Sequence, residues 1–319
     1  MHEFELIQNY LQKLSKKSKS SLNLNDDVFF DKKNKLVVSL DTYIEGNHFV
    51  DFKKPDLVIK KIIRSSISDL ICKGVYPKYY FISSSGDKKN FSKSNLLKIS
   101  KSLKEEQKKY NIHLSGGDTV FSKKLSFTVT SIGFSKEIIY RNKAKIYDDI
   151  YVTGNIGDSY LGLLILKNKI KLKSSLNKYF INKYFKPDIK HTLVNKIKKF
   201  SNTSIDISDG LLADLDKMIN NQNLSYKLFL NKVPSSKNFL QVLKIKRFSK
   251  KNYISNGDDY QILFTASQSK RRIIKNTSKE TNQRITRIGK IFKNSGKSLV
   301  VDLNNTVIKL KNKGYLHKF

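Results

Sequence analysis

Aspartates recur along this chain at the edges of apolar runs: Asp41 closes "VVSLD", Asp69 lies late in an apolar helix-like segment, Asp118 follows Gly116 and Gly117, Asp206 and Asp209 bracket "IS", and Asp258 and Asp259 follow Gly257. Asp26 and Asp27 precede "VFF" in the same way. Carboxylates at strand ends and in tight loops can converge in space, and a convergent acidic group requires divalent cations to be tolerable. Magnesium suits such a group best, because it prefers oxygen ligands and bridges carboxylates to polyphosphate.

Each position also has a purely structural explanation. Ser208 or Asp209 could cap the helix that follows, Asp41 could merely end a strand, and Asp148 with Asp149 is expected to be a solvated turn. Asp69 is harder to explain away, since it sits between Ile67 and Leu70 and needs a counterion. His48 is as compatible with a structural role as with ligand binding.

Composition bears on what such a group could serve. The chain has 62 basic and 27 acidic residues, a formal charge of +35, which raises nucleic-acid binding. Only Arg64, Arg141, Arg247, Arg271, Arg272, Arg284 and Arg287 are arginines, and the lysines are dispersed from Lys13 to Lys318. Specific phosphate and base recognition favours the guanidinium fork, so a solvated lysine surface is the better reading and no specific nucleic acid is expected. Cys72 is the single cysteine, which excludes a disulfide framework and a multi-thiolate cluster. The histidines show no zinc spacing, there is no Walker A loop or dinucleotide fingerprint, and "GNIGD" lacks the lysine of a phosphate loop. No apolar run spans a bilayer and the start lacks a secretory pattern, so no membrane association and a cytoplasmic setting are expected.

Periodicity predicts a helix through Phe4, Ile7 and Leu14, a strand ending near Asp41, and a helix from Pro55 with its apolar residues mostly on one side. It continues with strands at "YYFISSSG" and "LSFTVTSIGFS" flanking a helix at "SNLLKISKSLKEEQKKY". The pattern restarts at "IYVTGNIGDSYLGLLIL", so a boundary is placed near Arg141, with domains at 1–140 and 141–319 and a class of α/β and α+β.

Taken in order, "DD" at 26–27, "SLDTYIEGNHF", "SISDL" with "KGVYP", "LSGGDT", "YVTGNIGDS", "IDISDG", "GDDYQILFT" and the closing "KGYLHKF" resemble the thiamine-monophosphate kinase family over nearly the whole chain. The resemblance implies a two-domain aminoimidazole ribonucleotide synthetase-like fold. Its N-terminal mixed-sheet domain binds ATP and metal and pairs in a homodimer, and a C-terminal α+β domain packs beside it. It also implies ATP-dependent phosphorylation of thiamine monophosphate to thiamine diphosphate by in-line transfer with Mg²⁺ and no dedicated catalytic side chain. Carried over by position, Asp27, Ser39, Leu40 (through its carbonyl), Asp41, Asp69, Asp118, Asp206 and Asp209 would hold metal. Gly116, Gly117, Arg141 and Ser208 would meet ATP, and His48, Asp258 and Tyr315 would meet the substrate. Asn25, Leu40, Asp258 and Gln261 depart from the family's usual Gly, Thr, Glu and Glu. An aminoimidazole ribonucleotide synthetase-like activity is the alternative within the superfamily.

Overall fold

In the computed structural model, residues 3–294, 296–310 and 314–315 are described. The Phe4 side chain, and with it the reading of Phe4 as a helix-face residue, is not described, and the closing tail apart from Gly314 and Tyr315 lies outside these residues. Among the described residues the strands form two six-stranded mixed sheets.

The first sheet runs β1 (Phe29–Asp31), β2 (Leu36–Ile44), β6 (Ser126–Phe134), β3 (Pro77–Gly86) and β4 (His113–Gly116), with β5 (Thr119–Phe121) continuing beside β3. Strand β2 does not stop at Asp41 but continues to Ile44, because it pairs with β6 along its whole length. Its other edge pairs with β1 only over Leu36–Val38, which leaves that edge open from Ser39 onward. The second sheet has the order β12 (Leu299–Val301), β9 (Leu224–Phe229), β11 (Ile285–Lys293), β7 (Asp149–Thr153), β10 (Ile262–Ala266) and β8 (Thr203–Asp206).

Between the sheets lies the helix Pro55–Cys72. The periodicity expects one buried side, but burial runs almost all round: Ile59, Ile62, Ile63 and Ile67 are enclosed, and so are Lys61, Arg64 and Ser66. One hydrophobic core joins this helix to Phe127 and Val129 of the first sheet and to Ile262 and Phe264 of the second. A helix held on both sides must pair its polar groups internally. Arg64 does so through a two-pronged bond to Glu106.

Two other expectations are corrected. The N-terminal helix is interrupted, with a π turn at Ile7–Leu11 between short α segments. Asp148 and Asp149 are buried, not a solvated turn: Asp148 accepts from Asn202 and Thr265, and Asp149 is gripped by Arg271. Asn25, where the family usually has Gly, has φ −125°, outside the left-handed region, and its amide pairs with that of Asn220. No helix among the described residues is long and apolar enough to cross a membrane.

Candidate functional site

The acidic residues converge where β2, the end of the Pro55–Cys72 helix, the loop before β1 and the end of β8 meet. Alternation along β2 turns Val37, Ser39, Asp41 and Tyr43 toward the helix and leaves Leu40 on the opposite face, 65% exposed. Asp69 is in the last turn of the helix, beside Asp41 and Ser39, whose hydroxyl donates to the Ser66 carbonyl at 3.4 Å. Burial first, then the Asp41 and Asp206 charges, push the Asp69 carboxyl well above the ordinary range. Asp41 is pushed up to about 6 by burial, with the Tyr43 hydroxyl 3.3 Å away working in the other direction. Asp206, the last residue of β8, is pushed up to about 7 by burial, against a lowering bond from Ser68 and with Asp214 and Asp41 raising it. Its Oδ2 is buried without a hydrogen-bond partner. Three buried carboxyls, all raised chiefly by burial, and one orphaned oxygen thus lie together in this end of the fold.

Asp27 completes this end. Its side chain is 7% exposed and is held by Arg141 and by Lys73, whose ammonium is 2.6 Å from Asp27 Oδ2 and 2.7 Å from Asp26 Oδ1. Lys73 also donates to the Ser204 carbonyl at 2.8 Å. Burial works against its charge, but Asp26 and the other neighbours outweigh burial and hold it above its ordinary value.

The loop after β8 carries Ser208 and Asp209. Neither caps the following helix Leu211–Met218: the capping position is Gly210, and Asp214 Oδ2 accepts from the backbone of Asp209 and Gly210, each at 3.0 Å. Lys217 pairs with Asp209. Gly257 lies against this loop so closely that a Cβ there would stand 1.9 Å from the Ser208 carbonyl oxygen, so only glycine fits. Asp258 N donates to that same carbonyl at 2.8 Å, and Tyr315 N donates to the Asp209 carbonyl at 2.9 Å, which brings the tail's aromatic residue to the site.

On the other flank, Asp258 accepts from Lys61 at 2.5 Å and from the Tyr260 hydroxyl at 3.2 Å. Lys61 is fully enclosed and stands 4.0 Å over the Tyr184 ring, whose hydroxyl donates to the His48 carbonyl. His48 Nδ1 accepts from Ile44 N at 3.0 Å, which puts the neutral ring's proton on Nε2. Gln261 is buried and committed to structure: it accepts from Thr153 and donates to the carbonyls of Asp188 and Asp259, which a glutamate could not do.

Asp118, Gly116 and Gly117 stand apart from this buried cluster, on exposed backbone between β4 and β5. Asp118 Oδ1 accepts from its neighbour Thr119 N, and its carbonyl accepts from Ser84 N. Gly117 has a packing reason of its own, because a Cβ would fall 1.8 Å from the Ile82 carbonyl oxygen. Sequence reasoning missed Lys61, Lys73 and Asp214. Periodicity cannot separate Lys60 from Lys61, and a lysine just past a helix end, as Lys73 is, ordinarily reads as solvated.

Comparison with known proteins follows the same outline. The family profile described as AIR synthase related protein, N-terminal domain, matches residues 25–135. The thiamine-monophosphate kinase of Buchnera aphidicola subsp. Acyrthosiphon pisum is 34% identical over 326 residues, covering 99% of this chain and 98% of that protein. That of Bacillus subtilis is 27% identical over 327 residues, covering 99% of each. Among solved structures, AaThiL complexed with AMPPCP and TMP aligns with a TM-score of 0.86 and 25% identity, over 99% of this chain and 97% of that one.

Proposed function

The chain belongs to the thiamine-monophosphate kinase family and phosphorylates thiamine monophosphate to thiamine diphosphate with ATP, and we propose that it does so by direct magnesium-assisted transfer at the buried aspartate cluster. The observation that carries the mechanism is the mutual enclosure of Asp41, Asp69 and Asp206, whose carboxyls are all raised and one of whose oxygens lacks a partner. Such a group fits hard divalent cations. Asp27, Asp41, Asp69, Asp206 and Asp209 would hold magnesium, with Ser39 and the Leu40 carbonyl at the open edge of β2 beside them. When bound, magnesium neutralises the phosphate oxygens that gain charge during transfer.

The chain's own groups position the reactants. Arg141 would turn to nucleotide phosphate when cations relieve it of Asp27, and Ser208, Gly116 and Gly117 would line the nucleotide, with Asp118 holding a cation on that side. His48 Nε2–H, Asp258 and the Tyr315 ring would receive the thiamine monophosphate. No side chain needs to serve as base, because the attacking phosphate oxygen is already largely deprotonated near neutral pH.

A second copy of the chain completes this reading. The face of the first sheet turned away from the Pro55–Cys72 helix exposes Leu40, Phe81 and Val120, which the strand register places on one side. An apolar sheet face of this kind in a strongly charged chain suits a self-complementary partner. The boundary near Arg141, between the two sheets, and a cytoplasmic setting belong to the same reading.

The deciding experiment incubates the purified chain with thiamine monophosphate, ATP and Mg²⁺ and follows thiamine diphosphate by chromatography, with free thiamine and aminoimidazole precursors in parallel. Magnesium-dependent product from the monophosphate alone is expected; product from an aminoimidazole precursor instead would transfer the chain to the alternative activity.

A further inference from the structure

The helix Pro55–Cys72 ends on the chain's single cysteine, and that thiol points into the acidic cluster. Cys72 is fully buried, and its Sγ, a carboxylate oxygen of Asp27 and one of Asp206 all lie within 4.8 Å of one another. The thiol donates to the Asp69 carbonyl at 3.1 Å and stands 3.9 Å from Asp27 Oδ2. Independently of the cysteine, Asp206 is 3% exposed and its Oδ2 has no hydrogen-bond partner.

Sulfur is a poor ligand for magnesium, which takes oxygen donors in octahedral geometry. One thiolate with two carboxylates is instead a donor set for a borderline divalent ion such as Zn²⁺ or Co²⁺, which accepts three protein ligands and keeps a fourth position for water. With sulfur at about 2.3 Å and oxygens at about 2.0–2.2 Å from a shared ion, tetrahedral donor atoms stand roughly 3.4–3.6 Å apart, so the three atoms here, within 4.8 Å of one another, need to draw together by about an ångström or less.

We propose that Cys72, Asp27 and Asp206 form a mixed thiolate and carboxylate site for a zinc-class divalent ion. Binding exchanges the thiol proton for the metal and releases it to solvent. Lys73 keeps Asp26 Oδ1 and the Ser204 carbonyl as partners when the ion takes Asp27. The site shares two carboxylates with the magnesium cluster, so occupancy inhibits phosphoryl transfer and magnesium competes with it. That inhibitory consequence rests on the magnesium assignment; the binding itself does not.

Co²⁺ is the probe for the whole chain, because thiolate coordination gives an intense near-ultraviolet charge-transfer band and no other residue here can supply a thiolate. The expected result is a band saturating at one equivalent, displaced by Zn²⁺, absent in Cys72→Ala and Cys72→Ser, and requiring roughly tenfold or more Co²⁺ in Asp206→Asn. The Asp206→Asn variant keeps the thiol, so it tests the geometry even if the cysteine variants fold poorly. Co²⁺ bound with an oxygen-donor spectrum only, no binding, or a band indifferent to Asp206→Asn would each overturn the proposal. In parallel, the ratio of thiamine diphosphate formed with and without Zn²⁺ is measured for the unaltered chain and the two cysteine variants, and the inhibition should need at least roughly tenfold more Zn²⁺ in Cys72→Ala. Loss of magnesium-dependent turnover alongside an intact cobalt band would remove the functional reading while leaving the site standing.

Discussion

Lys61 Nζ lies 2.5 Å from Asp258 Oδ1, so a wholly enclosed ammonium on the central helix meets a carboxylate from the second half of the chain, the one proposed to face the substrate. Burial lowers the lysine's proton affinity below its ordinary value, and the Asp258 charge offsets part of that loss. Lys61→Met keeps the stem's volume and deletes the charge. Asp258 then loses its anchor, and KM for thiamine monophosphate should rise roughly tenfold while KM for ATP stays within about twofold. Steady-state kinetics with each substrate varied in turn decides this; equal effects on both would detach Lys61 and Asp258 from the substrate side.

Asp69 occupies a helix position where a structural residue would be apolar. If it is there for cations, Asp69→Asn should lower turnover by on the order of a thousandfold without lowering the melting temperature of the metal-free protein, since the asparagine removes an unfavourable buried charge. Parallel melts and turnover measurements check both halves. A variant that unfolds and regains full turnover when cooled would mark Asp69 as structural.

The raised carboxyls also fix a pH dependence. Asp41 and Asp206 sit at about 6 and about 7 in the folded chain against an ordinary 3.8. Groups raised in this direction contribute stability that is fully present below the unfolded value and is lost as pH rises through the folded ones. Each tenfold change in proton affinity is worth about 1.4 kcal/mol, so the metal-free protein should lose on the order of a few kcal/mol between about pH 4 and pH 8 from this cluster. Melting in EDTA across that range should show the decline, Mg²⁺ should abolish most of it at the upper end, and Asp206→Asn should flatten it. An identical slope in the variant would exclude the cluster as its source.

Much of this site was legible in the sequence because its ligands are aspartates at the ends of apolar runs, and those ends coincide with strand and helix ends in the fold. Asp41, Asp69 and Asp206 are brought together as the spacing suggested. What could not be read was the sandwiching of one helix between two sheets, because the pattern of Pro55–Cys72 gives its apolar face but not that a second layer closes over its polar one. Lys61 and Lys73 disappear for that reason among 62 basic residues. Gly117 was readable as special but not for the reason found, since a close strand crossing over Ile82 leaves no trace in local sequence.

Lys73 gives the acidic end a resident cation. Lys73→Met leaves Asp26 and Asp27 enclosed without their ammonium, and removal of one partner from a buried ion pair costs about 3–5 kcal/mol. The melting temperature in EDTA should fall by several degrees, and Mg²⁺ should raise it by more than it raises that of the unaltered chain, because an external ion then supplies the missing charge. Thermal melts with and without Mg²⁺ measure the difference. The same magnesium-induced rise in both proteins would mean that Lys73 and magnesium act on separate carboxylates.

Val120 is the central residue of β5, beside Ser85 and 52% exposed on the open face of the first sheet. A charge there meets water harmlessly in a monomer but is buried against apolar surface in a pair of facing sheets, where an unpartnered carboxylate costs several kcal/mol. Val120→Asp should therefore leave the melting temperature of dilute protein nearly unchanged while converting a dimer to a monomer, read by light scattering across a concentration series. If the sheets also bring Asp118 to the nucleotide, turnover should fall with the dimer fraction and recover as protein concentration is raised. A variant that stays dimeric would move the subunit contact to another face.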